Sequence, residues 1–263
     1  MTSEQDTVKE EVTVVIPIYR LQINELERRS LECAINVFAK RTIVVIHPKS
    51  LDMSSFAEQY PTLSFKAFDD NYFAGIAGYN RLMLSETFYT AFSSSKYILI
   101  YQLDAWAFRD DLSRWCHLGY DYVGAPWLRK PFNRLPIVKQ WLDFKGWAKH
   151  QLGKPSKQAL YDKVGNGGLS LRRVESHINV LRNQSDRVEH YLSQKRHHLY
   201  NEDVFWALEP EGFKYPSPCQ ALRFAFDKYP SYSFKITHGQ LPMGCHGWYK
   251  RKMKSFWRDI IEF

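Results

Sequence analysis

After a polar, acidic start, the chain runs through a β-branched stretch from Glu11 to Tyr19 (Glu-Val-Thr-Val-Val-Ile-Pro-Ile-Tyr), broken near its end by Pro17. A near-continuous apolar run of this kind predicts a strand covered on both faces, the type found in parallel sheets. From Asn24 to Lys40, Leu26, Leu31, Ile35 and Phe38 recur at helical spacing, with Asn24 placed to cap the first turn. Arg41 to His47 predicts a second strand that stops at Pro48, and Leu63 to Phe68 a short third one. Asp69-Asp70-Asn71 opens a loop, Gly75 to Phe92 reads as one helix, and Tyr97 to Gln102 as the next strand. Strand, helix, strand, short strand, helix, strand is the order of an α/β parallel sheet.

The pattern loosens after Asp104. Asp110 to Leu118 predicts a helix, and Asp121 to Trp127 a short strand leading into a turn. Leu128 to Lys163 stands apart, with nine Lys or Arg against two Asp; Ile137, Val138, Trp141, Leu142 and Trp147 are expected to share a helical face there. Gly165 to Arg172 returns to a strand, followed by helical stretches to about Tyr200.

Composition narrows the class. With 263 residues, 44% hydrophobic and 16% aromatic, the chain can bury one large core, or a main domain with a smaller lobe. No run of about 18 apolar residues is present, so no membrane span is expected. Met1 to Glu11 has no apolar stretch and does not read as a secretory signal. Cys33, Cys116, Cys219 and Cys245 are scattered, with no zinc or disulfide spacing, and point to a reducing cytoplasm. The net charge of +8 favours anionic partners, whether nucleotides, nucleic acid or acidic lipid headgroups.

Six segments carry candidate chemistry. In Tyr97-Ile98-Leu99-Ile100-Tyr101-Gln102-Leu103-Asp104 a buried strand delivers one carboxylate to its tip. Ligands of open α/β sheets collect there, and a hard cation bridging phosphates needs only one or two such groups; an acid capping the next turn would look the same. Pro17, Ile18 and Tyr19 end the first strand with an aromatic that suits a nucleobase or an ordinary loop exit. In Asn71 to Arg81, Gly75, Gly78, Tyr79 and Asn80 form a small-residue helix start that suits phosphate or close helix packing. Asn166-Gly167-Gly168 offers positive φ or close approach, and equally a hairpin turn. Glu202-Asp203 beside Phe205 and Trp206 suits a general base raised by burial, or acids at a helix N-terminus; only one of two adjacent acids can face a site. His246, in Gly244-Cys245-His246-Gly247, is a candidate metal ligand or a structural histidine.

In this order, from Val12 to Trp248, the segments resemble the GT-A class of nucleotide-sugar glycosyltransferases, and Asn-Gly-Gly-Leu-Ser-Leu-Arg with Asn-Glu-Asp-Val-Phe resembles a poorly characterised bacterial and viral glycosyltransferase-like family. The resemblance implies a GT-A-like open, mostly parallel α/β sheet flanked by helices, with a smaller acceptor-side elaboration. Pro17, Ile18, Tyr19, Asn71, Gly75, Tyr79, Asn80, Gln102, Leu103 and Asp104 would bind the nucleotide-sugar. Gln102-Leu103-Asp104 takes the place of the metal-binding Asp-x-Asp, with Gln102 as a departure at its first acid, and His246 would complete the shell around Mn²⁺ or Mg²⁺. Asn166, Gly167 and Gly168, with Trp127 or Trp206 stacked on a ring, would meet donor and acceptor sugars, and Asp203, beside Glu202, would be the base of an inverting transfer.

The resulting expectation is a metal-dependent glycosyltransferase acting on a glycan or lipid-linked acceptor in surface polysaccharide or glycoconjugate synthesis. It would be cytoplasmic, with peripheral contact to the anionic inner face of a membrane through Lys130–Lys157 and the tail Trp248–Phe263. The expected organisation is a flexible 1–10, a single catalytic domain over 11–249 with halves 11–106 and 107–249, and a basic aromatic tail over 250–263. A nucleic-acid-binding protein is the weaker alternative, lacking any recognised motif, so no nucleic-acid partner is expected. The other alternative, an inactive nucleotide-sugar binder, is suggested by Gln102.

Overall fold

The structure, a computed structural model, describes residues 10–194 and 198–261; the expected flexible start at 1–9 lies outside them. The first half comprises β1 (Glu10–Pro17), α1 (Glu25–Val37), β2 (Ile43–Pro48), α2 (Ser54–Gln59), β3 (Ser64–Phe68), α3 (Gly75–Met83), α4 (Glu86–Thr90) and β4 (Ser95–Tyr101). The second comprises β5 (Ala105–Ala107), α5 (Leu112–His117), β6 (Tyr122–Gly124), α6 (Pro136–Gln151), β7 (Leu169–Arg173), α7 (Val174–Asn183), α8 (Ser185–Ser193), α9 (Glu202–Leu208), α10 (Pro218–Phe224), β8 (Ala225–Phe226), α11 (Pro230–Ile236), β9 (Gly244–His246) and α12 (Lys254–Trp257).

Six strands form the main sheet in the order β3-β2-β1-β4-β7-β6. The first four are parallel, and β7 runs antiparallel between β4 and β6. Alternate residues of the central strands serve opposite faces. Val12, Val14 and Ile16 of β1 with Tyr97, Leu99 and Tyr101 of β4 enter one core cluster, while Val15, Ile98 and Ile100 enter the other. Burial on both faces is why these strands read as unbroken apolar runs. From β1 the chain winds out to β2 and β3, then returns to place β4 on the other side of β1. The crevice beyond the β1 and β4 tips is therefore the topological switch point, where ligands of open α/β sheets bind.

At α3 the structure differs from the sequence expectation, and the cause is local. The single helix over Gly75–Phe92 is two helices, because the Ser85 side chain accepts a bond from the Phe88 amide and restarts the turn. The α1 cap is as expected, and Glu27 completes a capping box with Asn24.

A second sheet, β5-β9-β8, lies beside the first. Its core cluster holds Leu128, Phe226, Cys245, Trp248 and Trp257. Trp248 and Trp257 are completely buried and Ile261 nearly so, so residues 250–261 of the expected tail pack onto the core, and 262–263 lie outside the described residues. Trp257→Ala is accordingly expected to cost about 3–5 kcal/mol, as large core truncations do; a denaturant midpoint equal to that of the parent chain would contradict this packing.

Candidate active site

A cavity of about 680 Å³ opens at the switch point. Its wall is built from the β1 tip (Pro17 to Arg20), α3 and the turn before it, the β4 exit (Gln102 to Asp104), the Asn166–Gly168 segment, the start of α9, and His246 with Tyr249 and Lys250. Of the residues expected from sequence, Pro17, Ile18, Tyr19, Gly75, Tyr79, Asn80, Gln102, Leu103, Asp104, Asn166, Gly167, Gly168, Glu202, Asp203 and His246 all line it.

Three do not. Trp206 is completely buried in the core, where its indole N–H donates to the Met83 carbonyl at 3.2 Å, so it has no face to offer a sugar. Trp127 lies against the backbone of Gly165, where a Cβ would come within 2.3 Å of the indole ring, and does not line the cavity. Asn71 is exposed and outside the cavity; its carbonyl accepts from the Arg81 guanidinium at 3.0 Å.

The two glycines of the Asn-Gly-Gly segment are there for close approach. A Cβ on Gly167 would sit 2.0 Å from Glu202 Oε1, and one on Gly168 would sit 2.2 Å from His246 Nε2 and 2.9 Å from Gln102 Oε1. The left-handed turn falls on Asn166 (φ 66°), whose side-chain oxygen accepts the Gly168 amide at 3.1 Å. The same contacts show that Gln102 Oε1 and His246 Nε2 are directed at one point.

His246 sits among acids. Its Nε2 is 3.0 Å from Asp104 Oδ1, and its Nδ1 is 3.3 Å from Asp227 Oδ1 and 3.0 Å from Asn166 Nδ2. Lys250 Nζ pairs with Asp104 Oδ2 at 2.7 Å. Burial works to raise the Asp104 carboxyl, but the imidazole and the ammonium outweigh it and hold it far below the usual carboxylate range. Burial likewise works to lower His246, and Asp104 and Asp227 outweigh it, so the ring is pushed up to about 9.

A divalent cation fits this chemistry. The buried His246 Nε2 meets the Asp104 carboxylate at 3.0 Å on the cavity wall, while Nδ1 faces the Asp227 carboxylate, the usual support of a metal-bound histidine. Among the described residues no group of three or more His, Cys, Asp or Glu is arranged to hold a metal. Asp104 and His246 would therefore supply two ligands, with the Gln102 amide oxygen nearby and the remainder left to substrate phosphates.

The two adjacent acids are divided by a buried cation. Arg172, wholly inaccessible, contacts Glu202 at 3.1 and 3.0 Å, and also donates to the Tyr89 hydroxyl at 2.9 Å and the Ser170 hydroxyl at 3.0 Å. Glu202 is thereby held in place. Asp203, half-buried on the cavity, is pushed up to about 7, first by burial and then by the neighbouring Glu202 charge. Asn80 joins α3 to this corner: its side-chain oxygen accepts the Glu202 amide at 3.1 Å, and its amide nitrogen donates to Asn201 at 3.3 Å.

The sequence reading missed Lys250, Asp227 and Arg172. Lys250 reads as part of a basic tail; the Gly247 turn folds it back onto Asp104, whose carbonyl accepts the Gly247 amide at 2.7 Å. Nothing local marks Asp227, which reaches His246 only through the pairing of β8 with β9.

Among solved structures the likeness is one of fold, and it is to GT-A-like glycosyltransferases. An active-site mutant of LgtC is 14% identical over 91% of this chain and 90% of its own, with a TM-score of 0.54. The galactosyltransferase LgtC in complex with donor and acceptor sugar analogs is 15% identical over the same shares, at 0.53. The apo-form glycosyltransferase GlyE of Streptococcus pneumoniae TIGR4 is 13% identical, at 0.50, over 96% of this chain and 61% of its own. By sequence, the chain belongs to the family described as "Protein of unknown function (DUF5672)", whose profile matches residues 62–246. No curated protein matches it.

Arg172→Met leaves the Glu202 carboxylate buried without its partner and is expected to destabilise the fold by about 3–5 kcal/mol. Adding Glu202→Leu should restore much of that loss. Denaturant unfolding of the single and double variants checks it; an additive double variant would mean that the two side chains do not depend on each other.

Proposed function

We propose that this chain is a metal-dependent, inverting glycosyltransferase that moves a sugar from a nucleotide-sugar donor to a hydroxyl of a glycan or lipid-linked acceptor. The observation that carries the reading is the pairing, across one cavity, of a cationic corner with a near-neutral carboxyl: His246 and Lys250 around Asp104 on one side, Asp203 on the other. The fold supports it, since a neighbour of the same fold binds donor and acceptor sugar analogs.

The β1 tip would hold the base, with exposed Tyr19 as a stacking face. The donor diphosphate would lie at the Asp104–His246 corner, within reach of Lys250. A bound Mn²⁺ or Mg²⁺ would supply Lewis-acid stabilisation of the leaving diphosphate there. Asp203, whose carboxyl burial pushes up to about 7, accepts the proton of the acceptor hydroxyl. As that oxygen bonds to the anomeric carbon from the face opposite the leaving group, the bond from carbon to the diphosphate oxygen breaks. Glu202 is instead engaged by Arg172 at 3.0 Å.

Gln102 favours one second reading, a nucleotide-sugar binder without turnover, which would shift in melting temperature with donor and cation yet release no nucleoside diphosphate.

Asp203→Asn should lower transfer by about 10²–10⁴-fold, the scale of general-base loss, with donor affinity unchanged. Because the base works only when deprotonated, wild-type turnover is expected to fall as pH drops through about 7. A product that keeps the donor's anomeric configuration would exclude the inverting mechanism.

Asp104→Asn should abolish cation-dependent donor binding in a thermal-shift titration with nucleotide-sugars and Mn²⁺, and His246→Ala should weaken it less. Full cation-dependent turnover by Asp104→Asn would remove Asp104 from the site.

A further inference from the structure

Between β6 and β7 the chain makes a long excursion, closed at its base where Pro126 bridges Val164. Its main element, α6, packs through one side only. Leu142 is buried, Gly146 faces Gln158, and Asp143, the single acid of the helix, pairs with the buried Arg129 at 2.8 Å while remaining partly exposed.

The outer side is apolar. Ile137 is 82% exposed, Trp141 59% and Phe144 63%. Their i, i+4, i+7 spacing puts them within an arc of about 60° at about 100° per residue. Phe132 before the helix and Leu152 just after it are also exposed, and more than half of the exposed large apolar side chains among the described residues belong to this excursion. Monomeric soluble proteins rarely leave such a stripe bare.

Positive charge predominates around the stripe. Lys145 lies with its ammonium 5.0 Å from the Trp141 ring, and Lys149 belongs to the same segment, while Lys139 stands 3.8 Å from Asp143 and Arg134 pairs with Asp162 at 2.6 Å. An apolar stripe of Trp, Phe and Ile edged by Lys and Arg matches the boundary between acyl chains and anionic headgroups. The other stretch expected from sequence to rest on a membrane does not share this form, because Trp248 and Trp257 point into the core.

We propose that α6 docks on an anionic lipid surface, laying Ile137, Trp141 and Phe144 into the headgroup boundary with its lysines over the charged headgroups. The excursion rejoins the fold at Gly165, next to Asn166 of the cavity wall, so docking holds the cavity close to the bilayer. The proposal goes beyond the transferase reading and is independent of it, since vesicle binding is read without turnover.

The test is co-sedimentation of the full chain with vesicles of phosphatidylcholine alone or mixed with phosphatidylglycerol. Binding is expected to be at least about tenfold stronger to the anionic vesicles and to weaken at high salt. Trp141→Glu with Phe144→Glu should reduce it at least about tenfold with an unchanged melting temperature, as both side chains are exposed. Lys139→Gln with Lys145→Gln should narrow the difference between the two vesicle types. Equal recovery in the supernatant with both vesicle types would overturn the proposal, as would undiminished binding by the Glu double variant. A lipid-free dimer that the same double variant dissociates would show instead that the stripe is an interface between two copies.

Discussion

The buried pair of Arg172 and Glu202 is the interaction on which the site depends. Burial works against the guanidinium charge, and the Glu202 carboxylate together with the Tyr89 and Tyr122 hydroxyls more than offsets it. In satisfying its donors, Arg172 ties β7 to α9 through Glu202 and to α4 through Tyr89, and its planar group lies 5.5 Å from the Tyr122 ring. A buried ion pair adds little net stability, yet it is costly to break and admits few arrangements. Here it fixes where α9 begins, and so where Asp203 stands.

That placement separates two chemically similar neighbours. Glu202 pairs with Arg172, while Asp203 is pushed up by burial and by the adjacent Glu202 carboxylate. Across the cavity the opposite logic applies. Asp104 is stabilised as an anion because His246 and Lys250 converge on it. One crevice thus holds an acid kept ionised and an acid held near neutrality, the division of labour that a group transfer with an anionic leaving group needs.

The strand-to-loop seams make this possible. Gly167 and Gly168 leave no room for a Cβ because Glu202, His246 and Gln102 fill the space, so the segment before β7 joins the two chemical corners. From the same seam the basic excursion departs, sharing the cavity wall at its base while its outer face stays free of the core.

The sequence by itself determined the parallel half of the fold and most of the cavity. The β1 and β4 runs are apolar without interruption because both faces of those strands are covered, and their tips end at Tyr19 and Asp104 because the switch point lies there. Asn24 announced its helix through its own side chain. These signals are local, carried by residues adjacent along the chain. Only the tertiary structure decided the rest. Trp127 and Trp206 look alike as sugar platforms in sequence, and packing against Gly165 and Met83 removes both from the cavity. Trp257 and Trp141 each stand near lysines, yet one closes a core cluster and the other faces outward. Arg172, Asp227 and Lys250 gain their meaning from partners that strand pairing or a glycine turn brings within 3.3 Å, and such partners leave no periodic mark along a chain.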